Sequence, residues 1–172
     1  MGIKILDITA GYRKMWQTDK ALLPEGEITF LDKRPEVKPD IVGDNEHLPD
    51  ELAGRFDYVV YDPPHAIDKR KTLRWRMKDN YSWWNNAADL IHNVVCVNQE
   101  ASKVLKPTGQ LILKYCEIYR EHAPTERNPS LGSILKCLDN FSLLSKVTFP
   151  SRSGSKNQTY YVWLVKKEAA KK

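Results

Sequence analysis

No apolar run in these 172 residues approaches the roughly 20 needed to cross a bilayer. The start, Met1-Gly2-Ile3-Lys4, has none of the layout of a signal peptide. No membrane partner is therefore expected, and the expected location is cytoplasmic. Cysteine is scarce: Cys96, Cys116 and Cys137 are odd in number, widely spaced and set among apolar residues. That pattern argues against both a disulfide framework and a zinc site, so the three read as buried thiols and no metal ligand is assigned. Internal repeats are absent, and so is low-complexity sequence apart from the last five residues. The length suits one domain with a sizeable core and leaves little room for a second. Residues 1–167 are read as that domain and 168–172 as a frayed basic tail.

What is present is a soluble, mixed composition: 41% hydrophobic residues, a net charge of +5 and a pI near 9.0. The charge favours a polyanionic partner such as nucleic acid. The most informative stretch is Phe56-Asp57-Tyr58-Val59-Val60-Tyr61-Asp62-Pro63-Pro64-His65. Its β-branched and aromatic run has the composition of a strand buried on both faces. Two prolines then fix the backbone, so Asp62 and the Pro63 carbonyl are left as rigid acceptors at the strand's carboxyl end. Open α/β sheets place their ligands there.

Taken in order, residues 3–8 read as a first strand, followed by the turn Thr9-Ala10-Gly11 and a helix over 12–23 stopped by Pro24 and Gly26. A glycine in such a turn lets a ligand approach the backbone, and the helix N-terminus offers unpaired N–H groups. Residues 27–32 form a second strand, 40–44 a short third, and 45–53 at most a short helix. A long connection over 65–81 leads to a helix from Ser82, its expected N-cap, to Leu105, with Trp84, Ala88, Ile91, Val95 and Leu105 on its apolar face. A fifth strand at 110–116, a helix at 130–140, and strands at 141–149 and 159–166 joined by a polar loop complete the chain. Four successive strands end in Asp7, Asp32, Asp44 and Asp62. That recurrence points to a ligand site. The alternation implies an α/β fold: a doubly wound, mostly parallel seven-stranded sheet with one antiparallel strand.

These motifs resemble those of the class I S-adenosylmethionine-dependent amino-methyltransferases, over nearly the whole chain. Ile5 to Gly11 looks like motif I, Asp32 like the motif II acid, Asp44 with Leu48-Pro49 like the motif III region, and Asp62-Pro63-Pro64-His65 like motif IV, whose fourth residue is normally Tyr, Phe or Trp. The chain is also similar to a phage- and prophage-associated group of uncharacterised methyltransferase-like proteins. These share the Gly-x-Arg-x-x-Trp pattern, here Gly11 to Trp16, and the strand end Lys114-Tyr115-Cys116-Glu117. The resemblance implies S-adenosylmethionine as cofactor, held by Asp7, Thr9, Ala10, Gly11, Asp32, Lys33, Asp44, Asn45 and Asp62. Within that set Asp32 and Asp44 would take the ribose hydroxyls and adenine amine, and Asp7 would orient the turn. Motif I usually has a Gly-x-Gly core, whereas Tyr12 and Arg13 follow Gly11 here; Arg13 or Lys14 could supply a charge in its place.

The implied catalytic set is Asp62, Pro63, Pro64 and His65. An exocyclic base amine is a poor nucleophile because its lone pair is delocalised, and acceptors at Asp62 and the Pro63 carbonyl would localise it. A ring at 65 would stack on a flipped base, or the imidazole would hydrogen-bond the target or act as a base. Directly downstream, Lys69, Arg70, Lys71, Arg74, Arg76 and Lys78 place six cations in ten residues around Trp75, the pattern of a nucleic-acid groove. The expected activity is methylation of a nucleic-acid base, adenine N6 first and cytosine N4 second, on DNA or RNA. With no room for a separate recognition domain, selectivity falls to loops or to a partner. The rival expectations are methylation of a protein amide or small-molecule amine, and a catalytically inactive cofactor- or nucleic-acid-binding accessory module.

Overall fold

In the computed structural model, which describes residues 2–67, 83–118, 127–150 and 157–168, seven strands form one sheet in the order β3-β2-β1-β4-β5-β7-β6. The strands are β1 (Lys4–Asp7), β2 (Glu27–Asp32), β3 (Ile41–Val42), β4 (Phe56–Tyr61), β5 (Leu105–Glu117), β6 (Phe141–Pro150) and β7 (Gln158–Lys166). The first five pair in parallel, and β7 lies between β5 and β6, antiparallel to both. The doubly wound sheet with one antiparallel strand expected from the sequence is the one observed.

Alternation along the strands divides the core in two. Leu6, Val59, Tyr61, Leu111, Leu113 and Val162 face one side, where Leu90, Val94, Val97, Ala101 and Val104 of α2 (Ala87–Val104) and Ile134 of α3 (Leu131–Cys137) meet them. Ile5, Val60, Ile112 and Tyr161 face the other, covered by Met15 and Trp16 of α1 (Lys14–Thr18) with Leu23 behind them. Burying each of these large side chains contributes about 1.5–3 kcal/mol, so the α2 face holds most of the hydrophobic stabilisation.

Several local expectations change. The helix expected over 12–23 is only five residues long, followed by a single 3₁₀ turn at Lys20–Leu22. Arg13 stands before it in the left-handed region, φ 59°, which α-helical backbone does not allow. The long helix starts at Ala87, not at residue 82: Asn86 is the N-cap, its side chain accepting from Asp89 N at 2.9 Å. Its buried face is set one step round from the one expected, since Ala88 and Val95 are exposed while Asn93 and Asn98 are buried. Both asparagines have distant partners, Tyr61, Asn45 and Glu46 for Asn93 and Asp139 with Asn140 for Asn98, so the polar atoms are satisfied inside. The fifth strand begins at Leu105, earlier than 110. The three cysteines are only partly buried.

The chain order reverses between β1 and β4: β1 leads outward to β2 and β3, and the chain returns to pair β4 on the other side of β1. A crevice at such a switch point, outside the carboxyl ends, is where this architecture receives ligands.

Candidate active site at the β1–β4 switch point

The carboxyl ends of β1 and β4 are stitched together. Ile8 N donates to Val60 O at 3.0 Å, and Asp62 N donates to Thr9 Oγ1 at 2.7 Å. The Asp62 carboxylate is thereby held beside the glycine turn, as the motif order requires. Asp7 lies beneath this junction, fully buried, taking Thr9 N on Oδ1 at 2.9 Å and Trp16 Nε1 on Oδ2 at 2.7 Å. Burial pushes its carboxyl up to about 6, opposed by the Trp16 and Thr9 hydrogen bonds and reinforced by the Asp62 charge. Asp7 therefore ties the turn to the first helix. Gly11 sits in the left-handed region at φ 49°, where a side chain would be strained.

Asp32 comes to the same place, although its oxygens are already engaged. Gly11 N donates to Oδ2 at 2.8 Å, Arg34 N and Nε to Oδ1 at 3.0 Å each, and Arg34 Nη2 to Oδ2 at 3.2 Å. Burial raises this carboxyl, but the Arg34 fork and the two backbone donors outweigh it and hold the group below the usual carboxylate range. Its direct work is to tie the turn after β1 to β2. Arg13 points away from the turn, donating to Lys38 O at 2.8 Å and lying 4.2 Å over the Phe30 ring. Lys14 is the cation of that pair that lines the cavity.

The cavity itself, ≈ 290 Å³, is lined by Asp7, Thr9, Ala10, Gly11, Asp32, Lys33, Asp44, Asn45, Asp62, Pro63, Pro64 and His65. Every residue expected at the cofactor and catalytic positions meets there. The cationic stretch Lys69, Arg70, Lys71, Arg74, Trp75, Arg76 and Lys78 lies outside the described residues. Its flanks are described: Ile67 and Trp84 form a β-bridge, Trp84 N donates to Ala66 O at 2.8 Å, and Trp84 Nε1 donates to Pro64 O at 2.9 Å. Trp84 packs on the core, as expected, and with Trp83 it also lines the cavity.

At the Asp62–His65 end of the cavity the polar atoms are less settled. His65 Nε2 stands 3.2 Å from Asp62 Oδ1, and Lys114 Nζ 3.7 Å from Asp62 Oδ2. Even so, Asp62 Oδ1 and His65 Nδ1 are buried with no hydrogen-bond partner among the described residues, which is costly unless a ligand or solvent supplies one. Burial lowers the His65 imidazole below its ordinary value, with Asp62 opposing and Lys114 reinforcing the shift. The ring is therefore neutral at neutral pH.

Two residues here were not foreseen. Lys114 was part of the β5 resemblance but not of the site; it also pairs with Asp19 at 3.0 Å, whose carboxylate accepts from Tyr161 OH as well. Asn93 lines the cavity from α2, taking Tyr61 OH at 2.5 Å and donating to Asn45 Oδ1 and Glu46 Oε1 at 2.8 Å each. The only sequence signal for Asn93 is a polar residue interrupting an apolar helical stripe.

No protein-family model and no curated protein matches the chain, whereas its structure has many relatives. The 16S rRNA (adenine(1408)-N(1))-methyltransferase from Catenulisporales acidiphilia superposes with a TM-score of 0.61 at 12% identity, over 99% of this chain and 87% of that one. A SAM-dependent methyltransferase from Methanosarcina mazei gives 0.61 at 14%, over 96% and 93%. The [4+2]-cyclase SpnF gives 0.59 at 12%, over 98% and 76%. This chain has the class I methyltransferase fold. Identities this low establish architecture alone, and the cyclase illustrates why: one methyltransferase fold hosts several chemistries, so function has to be argued from the site.

Proposed function

We propose that this chain transfers the methyl group of S-adenosylmethionine to an exocyclic amine of a nucleic-acid base, adenine N6 before cytosine N4. The observation that carries the reading is the pair of buried, unpartnered atoms, Asp62 Oδ1 and His65 Nδ1, opening on the same cavity as the Gly11 turn. When bound, the cofactor supplies an electrophilic methyl group. Its fit rests on the turn at Ala10 and Gly11, a close-approach backbone, and on the exposed Asp44 carboxylate and Lys14 at the cavity wall. Asp32, saturated by Arg34, supports this cradle from behind rather than gripping a hydroxyl.

Asp62 accepts an amine N–H at Oδ1, which draws the nitrogen lone pair out of conjugation and aims it into the cavity. The His65 imidazole stands beside that carboxylate and presents Nδ1, buried and without a hydrogen-bond partner among the described residues. His65 Nδ1 would take the surplus proton of the amine once it is methylated. The chain's positive charge favours a polyanionic acceptor over a neutral amine.

Incubation with methyl-labelled cofactor and separate DNA and RNA pools, followed by nucleoside mass spectrometry, tests the reading. Labelled N6-methyladenine or N4-methylcytosine is expected. Cofactor binding without label in any base, in either pool, would overturn it.

A further inference from the structure

A second cluster adjoins the cavity, where Glu46 of its lining faces His92 and Cys96 on α2. Glu46, His92 and Cys96 each present one ligand atom, and the three atoms fall within 4.8 Å of one another. His92 Nε2 is 3.8 Å from Glu46 Oε2 and 3.7 Å from Cys96 Sγ. A tetrahedral zinc-class ion with bonds of about 2.0–2.3 Å separates its nitrogen and sulfur ligands by about 3.6 Å, and its nitrogen and oxygen ligands by about 3.3 Å. The nitrogen–sulfur spacing already meets that geometry. The nitrogen–oxygen spacing of 3.8 Å is longer than that geometry asks, at a His92 side chain that is 71% exposed.

The arrangement is backed by its surroundings. His92 and Cys96 are one turn apart on an 18-residue helix, so they share a face without any rearrangement. Glu46 is oriented from both ends: its backbone N donates to Asp44 Oδ1 at 3.1 Å, and its Oε1 takes Asn93 Nδ2 at 2.8 Å, which leaves Oε2 toward His92. An outer partner that fixes a carboxylate ligand is the usual companion of a metal site. Sulfur, imidazole and carboxylate together suit a borderline-soft divalent ion and not magnesium or calcium.

We propose that Glu46, His92 and Cys96 bind one thiophilic divalent transition-metal ion of the zinc class, with a fourth position open to solvent. The ion pins the loop carrying Asp44, Asn45 and Glu46 to α2, so it stiffens one wall of the cavity from outside. The sequence conceals this site because its third ligand is 46 positions before the helical pair, with no Cys-x-x-Cys spacing to announce it.

Cobalt(II) titration of the full chain tests this independently of methyl transfer. The wild-type chain is expected to take up one equivalent, with a thiolate-to-cobalt charge-transfer band that zinc abolishes by displacement. Cys96→Ser removes the band, whereas Cys137→Ser keeps it. His92→Ala, at an exposed position that folding does not depend on, weakens cobalt binding at least ~10-fold. A spectrum of octahedral aqueous cobalt throughout, or equal binding by the wild type and His92→Ala, overturns the proposal.

Discussion

Asp32 and Asp62 invite comparison because they begin alike and finish differently. Each closes a parallel strand, each lines the same cavity, and each was assigned to function from its place in the sequence. Asp32 receives four N–H donors from Gly11 and Arg34. Asp62 offers a buried oxygen that nothing among the described residues satisfies. An acid at a strand end is thus either saturated by its own fold or left open to a ligand. That property depends on a neighbour two residues along in one case, and on a proline pair that withholds backbone donors in the other.

The sharpest way to break this comparison is Asp62→Ala. Methyl transfer should fall by at least ~10²-fold in single-turnover assays, as it does when a preorganised polar group facing developing charge is removed. Unfolding free energy should move by less than about 1 kcal/mol, because the lost ion-pair contact is long and Lys114 keeps Asp19. A large drop in urea stability with transfer intact would reverse the roles assigned here.

His65→Gln comes next, with transfer reduced ~10²-fold if the ring takes the amine proton. The wild-type rate should fall with acid only below the ordinary imidazole value, since the folded ring is held low. The same shift makes the unfolded chain bind the proton first, so stability too declines as pH drops through that window. A rate that does not fall with acid anywhere in the range where the protein stays folded would remove the base role.

Asp32→Ala is the mirror of the first variant. It should lower stability by about 2 kcal/mol in urea melts, through two orphaned backbone donors and an unpaired Arg34, and weaken cofactor binding only as the Gly11 turn loosens. Smallest of the four, Trp84→Phe removes one hydrogen bond to Pro64 O and should cost about 1 kcal/mol. A null effect would mean that this hydrogen bond adds nothing to the other contacts holding the loop after β4.

Much of the fold was legible because strand ends, prolines and alternation are local signals. The mostly parallel sheet and the antiparallel last pair followed from them. The short first helix did not, because its end is set by Asp19, whose carboxylate is drawn to Lys114 and Tyr161, partners 95 and 142 residues away. The buried face of the long helix was misjudged for a related reason: Asn93 and Asn98 look like surface residues until their remote partners are known. The difference between Asp32 and Asp62 was only half legible: the prolines after Asp62 stand in the sequence, whereas the closure of Arg34 and Gly11 N onto Asp32 does not.

The bridge between Ile67 and Trp84 has a consequence for the chain it spans. It brings the two ends of the intervening segment side by side on the scaffold, so the sheet does not register how much chain lies between them. Doubling such an insert adds only ~0.6 kcal/mol of closure entropy. Variants that differ in the length of chain between Ile67 and Trp84 are therefore expected to keep the same sheet and the same Gly11 turn.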